Sequence, residues 1–173
     1  MSMIGSHDNV LVTGGAGFIG SHLVKRLADT GATVKVLDNF DDFYPGKTAN
    51  LARYRERSNV EVVQGSILDR DILGHLCRWA SIVFHEAAKA GIRYCNLYPV
   101  KAHKVNVEGT LNLLMACREA NPGPRRVVNA SSSSVYGEID HLPIREEDPK
   151  RPGSPYAATK LAAEHYCTAF HKT

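Results

Sequence analysis

The stretch Thr13-Gly14-Gly15-Ala16-Gly17-Phe18-Ile19-Gly20 decides the fold. It stands between an apolar run that predicts a β-strand and an amphipathic pattern that predicts a helix. Gly14 permits a tight turn, Gly17 lets backbone approach a pyrophosphate, and Gly20 lets the helix pack closely against the strand. A strand, a glycine-rich loop and a helix in this order are typical of dinucleotide sites, and a turn without a ligand is the alternative.

The start of the predicted helix supplies the other half of such a site. Backbone N–H groups at Phe18 and Ile19, with the partial positive charge of a helix N-terminus, favour the binding of phosphates. Asp38 ends the second predicted strand, 18 positions after Gly20. A carboxylate there accepts both hydroxyls of an adenosine ribose and repels a 2′-phosphate, so it favours NAD over NADP. Asn39 is placed to share the ribose contact, while a strand-end aspartate that caps the next turn is the alternative for Asp38.

The rest of the chain alternates short β-rich runs with helical patterns. The predicted strands are 9–12, 33–37, 60–64, 81–85 and 126–130, and the predicted helices are 17–29, 45–57, 69–79, 98–120 and 156–172. Asp69 is expected to cap the third of these helices. Residues 86–97 read as a loop, and residues 131–155 as a functional loop.

This order predicts an α/β fold, a doubly wound parallel Rossmann sheet with strand order 3-2-1-4-5. Ligands on such sheets bind at the carboxyl ends of the strands where the order reverses, after strands one and four. Ser66 and Ile67 follow strand three and are expected to flank an adenine. We expect residues 1–8 to be a disordered N-terminal segment and residues 9–173 to form one NAD-binding Rossmann domain.

Composition narrows the function further. The chain has 173 residues, 43% of them hydrophobic, and a formal net charge of +3 without a basic tract, which argues against nucleic-acid binding. No apolar run approaches the roughly 18 residues of a membrane span, and the N-terminus lacks the order of a signal peptide. Four scattered cysteines predict reduced thiols in a cytoplasmic protein. Neither they nor the eight histidines have metal-ligand spacing, so no metal is expected.

Six sequence blocks follow one another along nearly the whole chain. They are TGGAGFIGSHL (13–23), DNFDDFYP (38–45), HEAAKAG (85–91), NVEGTLNLL (106–114), SSSSVYG (131–137) and SPYAATK (154–160). In this order the blocks resemble the extended short-chain dehydrogenase/reductases. They are most similar to the NAD-dependent epimerase/dehydratase family, in particular to UDP-glucuronate and then UDP-galactose 4-epimerases.

The resemblance implies roles for matching positions. Ser132, Tyr156 and Lys160 match the catalytic residues of the family. The remaining cofactor contacts that it implies, beside those already derived, are at Ala87, Ala88, Asn106, Tyr156 and Lys160. It also implies a UDP-sugar substrate and a homodimer formed through helices 98–120 and 156–172.

The spacing of Tyr156 and Lys160 also indicates a catalytic role. Residues at i and i+4 of a helix share one face, where an ammonium favours tyrosinate. Tyr156 would then remove the proton of a sugar hydroxyl bonded also by Ser132, NAD⁺ would take the hydride, and the ketone would be reduced on its other face. An ordinary exposed helix pair is the alternative.

Substrate contacts are less sharply indicated. Arg93 suits a carboxylate or phosphate, with a solvated loop arginine as the alternative. Ser133 and Ser134 are candidate substrate neighbours, with a polar turn as the alternative.

The family continues beyond the Tyr156 helix with a C-terminal region that carries most substrate contacts. We therefore expect this chain to be the cofactor-binding part of a UDP-sugar 4-epimerase, lacking that substrate region, with strand five at an edge of the sheet. A non-catalytic dinucleotide-binding or dimerising module is the alternative. A nucleotide-sugar 4,6-dehydratase is a weaker alternative, because Ser133 and Ser134 stand where that chemistry needs an acid pair.

Overall fold

The computed structural model describes residues 4–52 and 54–173. A five-stranded sheet with the order β3-β2-β1-β4-β5 forms its centre. β1 pairs in parallel with β2 and with β4, and β2 pairs in parallel with β3. The strands are β1 (Asn9–Thr13), β2 (Thr33–Asp38), β3 (Val60–Gln64), β4 (Ile82–His85) and β5 (Arg126–Asn129). The predicted fold class and strand order are confirmed, and β5 lies at one edge.

The described residues also form seven α-helices and two short helical turns, between the strands and after β5. The α-helices are α1 (Phe18–Asp29), α2 (Lys47–Leu51), α3 (Arg70–Trp79), α4 (Ile92–Leu97), α5 (Pro99–His103), α6 (Gly109–Glu119) and α7 (Pro155–Lys172). A π-helical turn covers Lys104–Glu108, and a 3₁₀ helix covers Ser133–Tyr136. No helix in this described part of the chain combines the length and apolarity needed to cross a bilayer.

The chain divides into two compact units. The first unit comprises the residues up to 87 together with 112–128, and the second comprises 88–111 together with 129–173. The first unit therefore holds β1 to β4 and α1 to α3, whereas the second holds α4, α5 and α7.

The core of the first unit is built on β1 and β2. Val10 and Val12 lie opposite Val34 and Val36 in the ladder, and all four are fully buried. Leu11 is also fully buried, although successive strand residues point to opposite faces. Burial on both faces explains why these strands read as continuous apolar runs rather than alternating ones.

Two helices form for the reasons that the sequence indicated. α1 buries Val24 and Leu27 and is followed by Gly31 at φ +86°, a conformation that favours glycine. α3 is capped by Asp69, whose carboxylate accepts hydrogen bonds from the N–H groups of Asp71 and Ile72, both at 3.1 Å. A cap of this kind stabilises a helix by about 1 kcal/mol.

Three predicted segments differ in the structure. The helix expected over 45–57 is shortened to α2, because Gly46 adopts φ +94° before it and only Leu51 is buried; Arg53 of the predicted helix lies outside the described residues. The loop expected over 86–97 is wrong for Ile92–Leu97, which form α4. Its six residues bury only Cys95, so they leave no periodic signal. The single helix expected over 98–120 is interrupted by the π-helical turn.

The N-terminal segment is the remaining correction. Asp8 was assigned to a disordered stretch, but it is 1% exposed. Its carboxylate bonds Arg125 at 2.6 Å and the backbone N–H of Gly5 at 3.1 Å. The prediction is therefore wrong for Asp8, because a buried carboxylate with an ion-pair partner is fixed in place. Residues 1–3 of that segment lie outside the described part.

Candidate functional site

The glycine loop is shaped by close backbone contacts in the first unit. Gly14 has φ +68°, and a Cβ built on it would lie 2.6 Å from the backbone nitrogen of Ala87. A Cβ on Gly20 would lie 2.7 Å from Cα of Gly15 and would also meet the carbonyl oxygen of Gly14. Gly14 and Gly20 are therefore required by the packing of the loop itself. The backbone of Ala87 lies against Gly14, and its cofactor contact stays a prediction.

Gly17 is different, because the chain does not crowd it in the same way. Among the described residues, the one atom that a Cβ on Gly17 would approach is the carbonyl oxygen of Gly14, at 3.3 Å. Gly17 precedes α1, and no side chain of the described residues caps that N-terminus. Phe18 and Ile19 are 76% and 62% exposed. The helix thus presents backbone N–H groups and apolar surface on an open side, where glycine keeps the approach clear.

Asp38 is fixed at the end of β2 by the glycine loop and by its own turn. Its Oδ2 accepts the N–H of Ala16 at 3.1 Å, and its Oδ1 accepts the N–H of Phe40 at 2.9 Å. Phe40 adopts φ +52°, a costly conformation for an aromatic residue. Oδ1 also accepts a hydrogen bond from Lys47 Nζ at 3.1 Å. The carboxylate of Asp38 is therefore held beside the glycine loop that follows β1.

The other predicted contacts of the first unit form local turns. The side-chain oxygen of Asn39, an exposed residue, accepts the N–H of Asp41 at 3.2 Å. Ser66 Oγ accepts the N–H of Leu68 at 3.1 Å, and Ile67 is 5% exposed. Ser66 and Ile67 follow β3, as Asn39 follows β2. Their adenosine contacts stay predictions.

The second unit carries the predicted catalytic residues on α7 and on the segment after β5. α7 starts at Pro155, and the preceding Ser154 caps it by accepting the N–H of Ala157 at 3.2 Å. Tyr156 and Lys160 lie one turn apart on this helix. Lys160 is 7% exposed, and its Nζ donates to the carbonyl oxygen of Ala130 at 2.9 Å. A buried ammonium thereby ties the start of the serine run to α7.

Ser132 is set up as a hydrogen-bond donor. Its Oγ accepts the N–H of Ser134 at 3.2 Å and the hydroxyl of Ser134 at 2.9 Å. A hydroxyl oxygen has two acceptor lone pairs and one hydrogen, so both lone pairs are used and the hydrogen remains for a third partner. Ser134, which was predicted to contact substrate, bonds Ser132, and Ser133 is exposed. The substrate contacts of both residues stay predictions.

Neighbouring contacts complete this part of the second unit. Ser131 donates a hydrogen bond to Glu164, one turn beyond Lys160 on α7. An open pocket of about 490 Å³ is lined by Ser131, Ser132, Ser133, Tyr136, Arg145 and Glu164, among others. It lies within the second unit and includes one predicted catalytic residue and one predicted substrate residue.

Asn106 lies in the π-helical turn with its amide enclosed. The amide oxygen accepts the N–H of Lys89 at 2.7 Å, and its nitrogen donates to the Lys89 carbonyl and to Thr159 Oγ1, both at 3.0 Å. Asn106 is 2% exposed and holds the segment that starts at Ala88. The cofactor contacts of Ala88 and Asn106 stay predictions. Arg93 is exposed and lies on α4 rather than in a loop.

Nearly the whole of this chain lies within one sequence family. The family described as NAD dependent epimerase/dehydratase matches residues 10–173. The chain belongs to this family. The resemblance inferred from the six sequence blocks is therefore confirmed.

Several relatives of this chain are UDP-sugar epimerases. UDP-glucuronate 4-epimerase 4 of Arabidopsis thaliana is 42% identical over 166 residues, which cover 94% of this chain and 38% of the relative. Among solved structures, the UDP-N-acetylglucosamine 4-epimerase of Methanobrevibacter ruminantium is 36% identical with a TM-score of 0.88, covering 96% of this chain and 51% of that one. The UDP-glucuronic acid 4-epimerase of Bacillus cereus, solved with UDP-glucuronic acid and NAD, is 34% identical with a TM-score of 0.86, covering 95% and 52%.

The match is confined to part of each relative. The chain spans about half the length of the two solved epimerases and 38% of the plant enzyme. The family match over residues 10–173 nevertheless includes both predicted sets of residues. These are the glycine loop with Asp38, and Ser132 with Tyr156 and Lys160.

Several residues of the site were missed from the sequence. A Cβ on Gly15 would lie 2.7 Å from Cγ1 of Val36, so this glycine is also required by packing. The spacing of the motif assigns roles only to Gly14, Gly17 and Gly20. Lys47 and Glu164 bond predicted site residues or their neighbours across sequence separations of 9 and 33. Their charges were visible, but nothing in the local pattern indicated their partners. Within the described residues, no group of three or more His, Cys, Asp or Glu side chains is arranged to hold a metal ion.

Proposed function

We propose that this chain is the cofactor-binding part of an NAD-dependent nucleotide-sugar epimerase of the UDP-sugar 4-epimerase type. The observation that carries the proposal is the uncapped N-terminus of α1, with Gly17 open beside it and Asp38 bonded to the adjoining Ala16. Packing alone explains Gly14 and Gly20, whereas an approaching pyrophosphate explains why position 17 lacks a Cβ.

The first unit is assigned the phosphates and adenosine of NAD. The N–H groups at the start of α1 would bind the pyrophosphate, and Asp38 would accept the ribose hydroxyls. Ser66 and Ile67, which follow β3, would flank the adenine. A carboxylate held by the Ala16 and Phe40 N–H groups is already oriented, so little ordering is needed on binding.

The second unit is assigned the hydroxyl chemistry. When bound, NAD⁺ supplies the hydride acceptor for oxidation of a sugar carbinol and, once reduced, the donor for its return. Tyr156 takes the proton of that hydroxyl and later returns it. Lys160, one helical turn further, favours the tyrosinate through its positive charge. Ser132 donates its remaining hydrogen to the same substrate oxygen, an orientation fixed by the two bonds from Ser134.

The substrate is assigned as a UDP-sugar, and UDP-glucuronate is the first candidate. This assignment is supported by the relatives, which include UDP-glucuronate, UDP-glucose and UDP-N-acetylglucosamine 4-epimerases. Arg93, exposed on α4, is assigned to the acidic part of the substrate, because a guanidinium pairs in a bidentate way with carboxylate or phosphate.

Two further properties belong to the same proposal. The protein is assigned a homodimeric state. This assignment is supported by Leu97 and Val100 of the second unit, which are 66% and 79% exposed, because exposed apolar side chains are typical of protein–protein interfaces. The protein is assigned to the cytoplasm, which is supported by its four cysteines, none of which forms a disulfide. Sedimentation of the chain tests the first assignment, and a sedimenting monomer at all concentrations contradicts it.

The experiment that tests the enzymatic proposal uses the chain alone and a chimera in which it is joined to the C-terminal half of the Bacillus cereus UDP-glucuronic acid 4-epimerase. Both are incubated with NAD⁺ and either UDP-glucuronate, UDP-glucose or UDP-N-acetylglucosamine, and the sugars are separated by chromatography. We expect the chimera to form the C4 epimer of at least one substrate. A folded chimera that binds NAD⁺ and converts none of them contradicts the epimerase proposal and leaves a dinucleotide-binding module.

A further inference from the structure

Lys47 lies in a small charged cluster at the end of β2. Its Nζ donates to Asp38 Oδ1 at 3.1 Å and to Asp41 Oδ1 at 3.0 Å. The Lys47 side chain is 13% exposed and that of Asp38 4% exposed, so water screens their contact poorly. The Lys47–Asp38–Asp41 cluster, as we call these three residues, lies wholly in the first unit and carries two negative charges and one positive charge.

The ammonium in this cluster stays protonated at neutral pH. Burial by itself lowers the pKa of Lys47, but the hydrogen bonds and charges of Asp41 and Asp38 outweigh it and raise the pKa above its ordinary value. An ammonium has three N–H donors, and the bonds to Asp38 and Asp41 occupy two of them. A positively charged donor therefore lies within hydrogen-bond distance of the carboxylate assigned to the adenosine ribose.

That position bears directly on the discrimination between NAD and NADP. A lone aspartate at the end of the second strand rejects NADP because its charge repels the 2′-phosphate. Here the ammonium at 3.1 Å offsets much of that charge and offers its own attraction to a phosphate. The carboxylate of Asp41 has the opposite effect, because it adds a negative charge that repels the 2′-phosphate and brings the net charge of the cluster to −1. The net charge of the cluster, rather than Asp38 alone, decides how strongly a 2′-phosphate is rejected.

We propose that Lys47 is a specificity-determining residue of the adenosine-ribose site, which weakens the rejection of NADP⁺ that Asp38 imposes. This inference rests on the proposed binding of NAD to the first unit. It follows that the preference of the wild-type chain for NAD⁺ is weaker than Asp38 and Asp41 would impose without Lys47, and that the preference changes stepwise with the charge of the cluster.

Three variants give a charge series that tests the inference. Lys47→Gln gives the cluster a net charge of −2, Lys47→Arg keeps it at −1, and Asp41→Asn brings it to zero. NAD⁺ and NADP⁺ are titrated into each full 173-residue chain by calorimetry at low salt, where electrostatic differences are largest. The measured quantity is the ratio of the two dissociation constants.

We expect Lys47→Gln to widen the preference for NAD⁺ by about tenfold or more, Lys47→Arg to leave it within about threefold, and Asp41→Asn to narrow it by about threefold to tenfold. Asp41→Asn keeps Lys47 and Asp38 intact and moves the ratio in the opposite direction, so a folding defect in Lys47→Gln cannot imitate the pattern.

If Lys47→Gln weakens the binding of both cofactors equally, or if the ratio is the same in all four proteins, Lys47 only positions Asp38 and the inference fails. A wild-type chain that binds neither cofactor overturns both the inference and the proposed function, whereas NAD⁺ binding with an unchanged ratio overturns the inference alone.

Discussion

The backbone N–H of Ala16 donates to Oδ2 of Asp38 at 3.1 Å, so the glycine loop after β1 and the carboxylate that ends β2 fix each other's position. The two residues are 22 positions apart in the chain. The parallel pairing of β1 with β2 brings their carboxyl ends to the same edge of the sheet. The proposed pyrophosphate and ribose contacts are thus parts of one preformed arrangement.

Replacement of Gly17 or of Gly20 by alanine is predicted to have different effects on stability and on NAD⁺ binding. Gly17→Ala moves a Cβ to 3.3 Å from the Gly14 carbonyl, which small shifts accommodate, so the free energy of unfolding should fall by less than about 1 kcal/mol. The same methyl group obstructs the pyrophosphate, and the affinity for NAD⁺ should fall by about tenfold or more.

Gly20→Ala is the matched comparison. Its Cβ would lie 2.7 Å from Cα of Gly15, where backbone must shift, so we expect a loss of about 2 kcal/mol or more of stability. Urea denaturation and NAD⁺ titration of both variants check the contrast. Equal destabilisation by the two substitutions would show that Gly17 is needed for packing and not for a ligand.

Tyr156→Phe separates binding from chemistry. The substitution removes one hydroxyl from α7 and leaves the Lys160 bond to Ala130 in place. In the chimera with the Bacillus cereus C-terminal half, we expect NAD⁺ affinity to stay within about threefold while the rate of epimerisation falls by about 10²-fold or more. Tyr166→Phe, ten residues further along the same helix, is the control and should keep full activity. A Tyr156→Phe protein that turns over at the wild-type rate would remove Tyr156 from the proposed mechanism.

The Asp8–Arg125 ion pair makes the stability of the first unit depend on pH. The hydrogen bond from Arg125 lowers the pKa of Asp8 from 3.8 to about 2, against the opposing effect of burial. Because the folded-state pKa is the lower one, this contribution is complete above the unfolded pKa and is lost as the pH falls through about 4 towards 2. Arg125→Met should therefore reduce the free energy of unfolding at pH 7 by about 2 kcal/mol, and by progressively less at acidic pH.

Urea denaturation of wild type and Arg125→Met between pH 7 and pH 2.5 measures this difference. Arg126→Met, at the exposed neighbouring position, is the control and should change stability by less than about 0.5 kcal/mol at every pH. A difference between wild type and Arg125→Met that is the same at all pH values would contradict the role of Asp8.

The sheet and its glycine loop were predictable because their determinants are local. Apolar runs such as residues 10–12 define buried strands, glycine spacing defines the turn, and Asp69 stands where a helix cap is needed. The catalytic roles of Ser132, Tyr156 and Lys160 were predicted by resemblance, and the structure adds the hydrogen bonds that hold Ser132 and Lys160. The order of the strands followed from the alternation of strand and helix together with right-handed crossovers.

What the sequence did not indicate depends on tertiary contacts. Lys47 reads as one more cation of an exposed basic helix, and only the turn at Phe40 and Gly46 brings its ammonium to Asp38. The helix α4 is too short for a periodic pattern, and Asp8 appears polar and terminal until its partner Arg125, 117 residues away, is placed. Long-range ion pairs of this kind have no local signature.

The most direct test of the central claim is a calorimetric titration of the 173-residue chain with NAD⁺, comparing wild type, Asp38→Asn and the exposed control Asp42→Asn. We predict saturable binding to the wild type and to Asp42→Asn, and a loss of about tenfold to a hundredfold in affinity for Asp38→Asn, since charge-assisted bonds to the ribose are removed. A wild-type chain that shows no binding at millimolar NAD⁺, or an Asp38→Asn chain that binds as tightly as the wild type, would contradict the account.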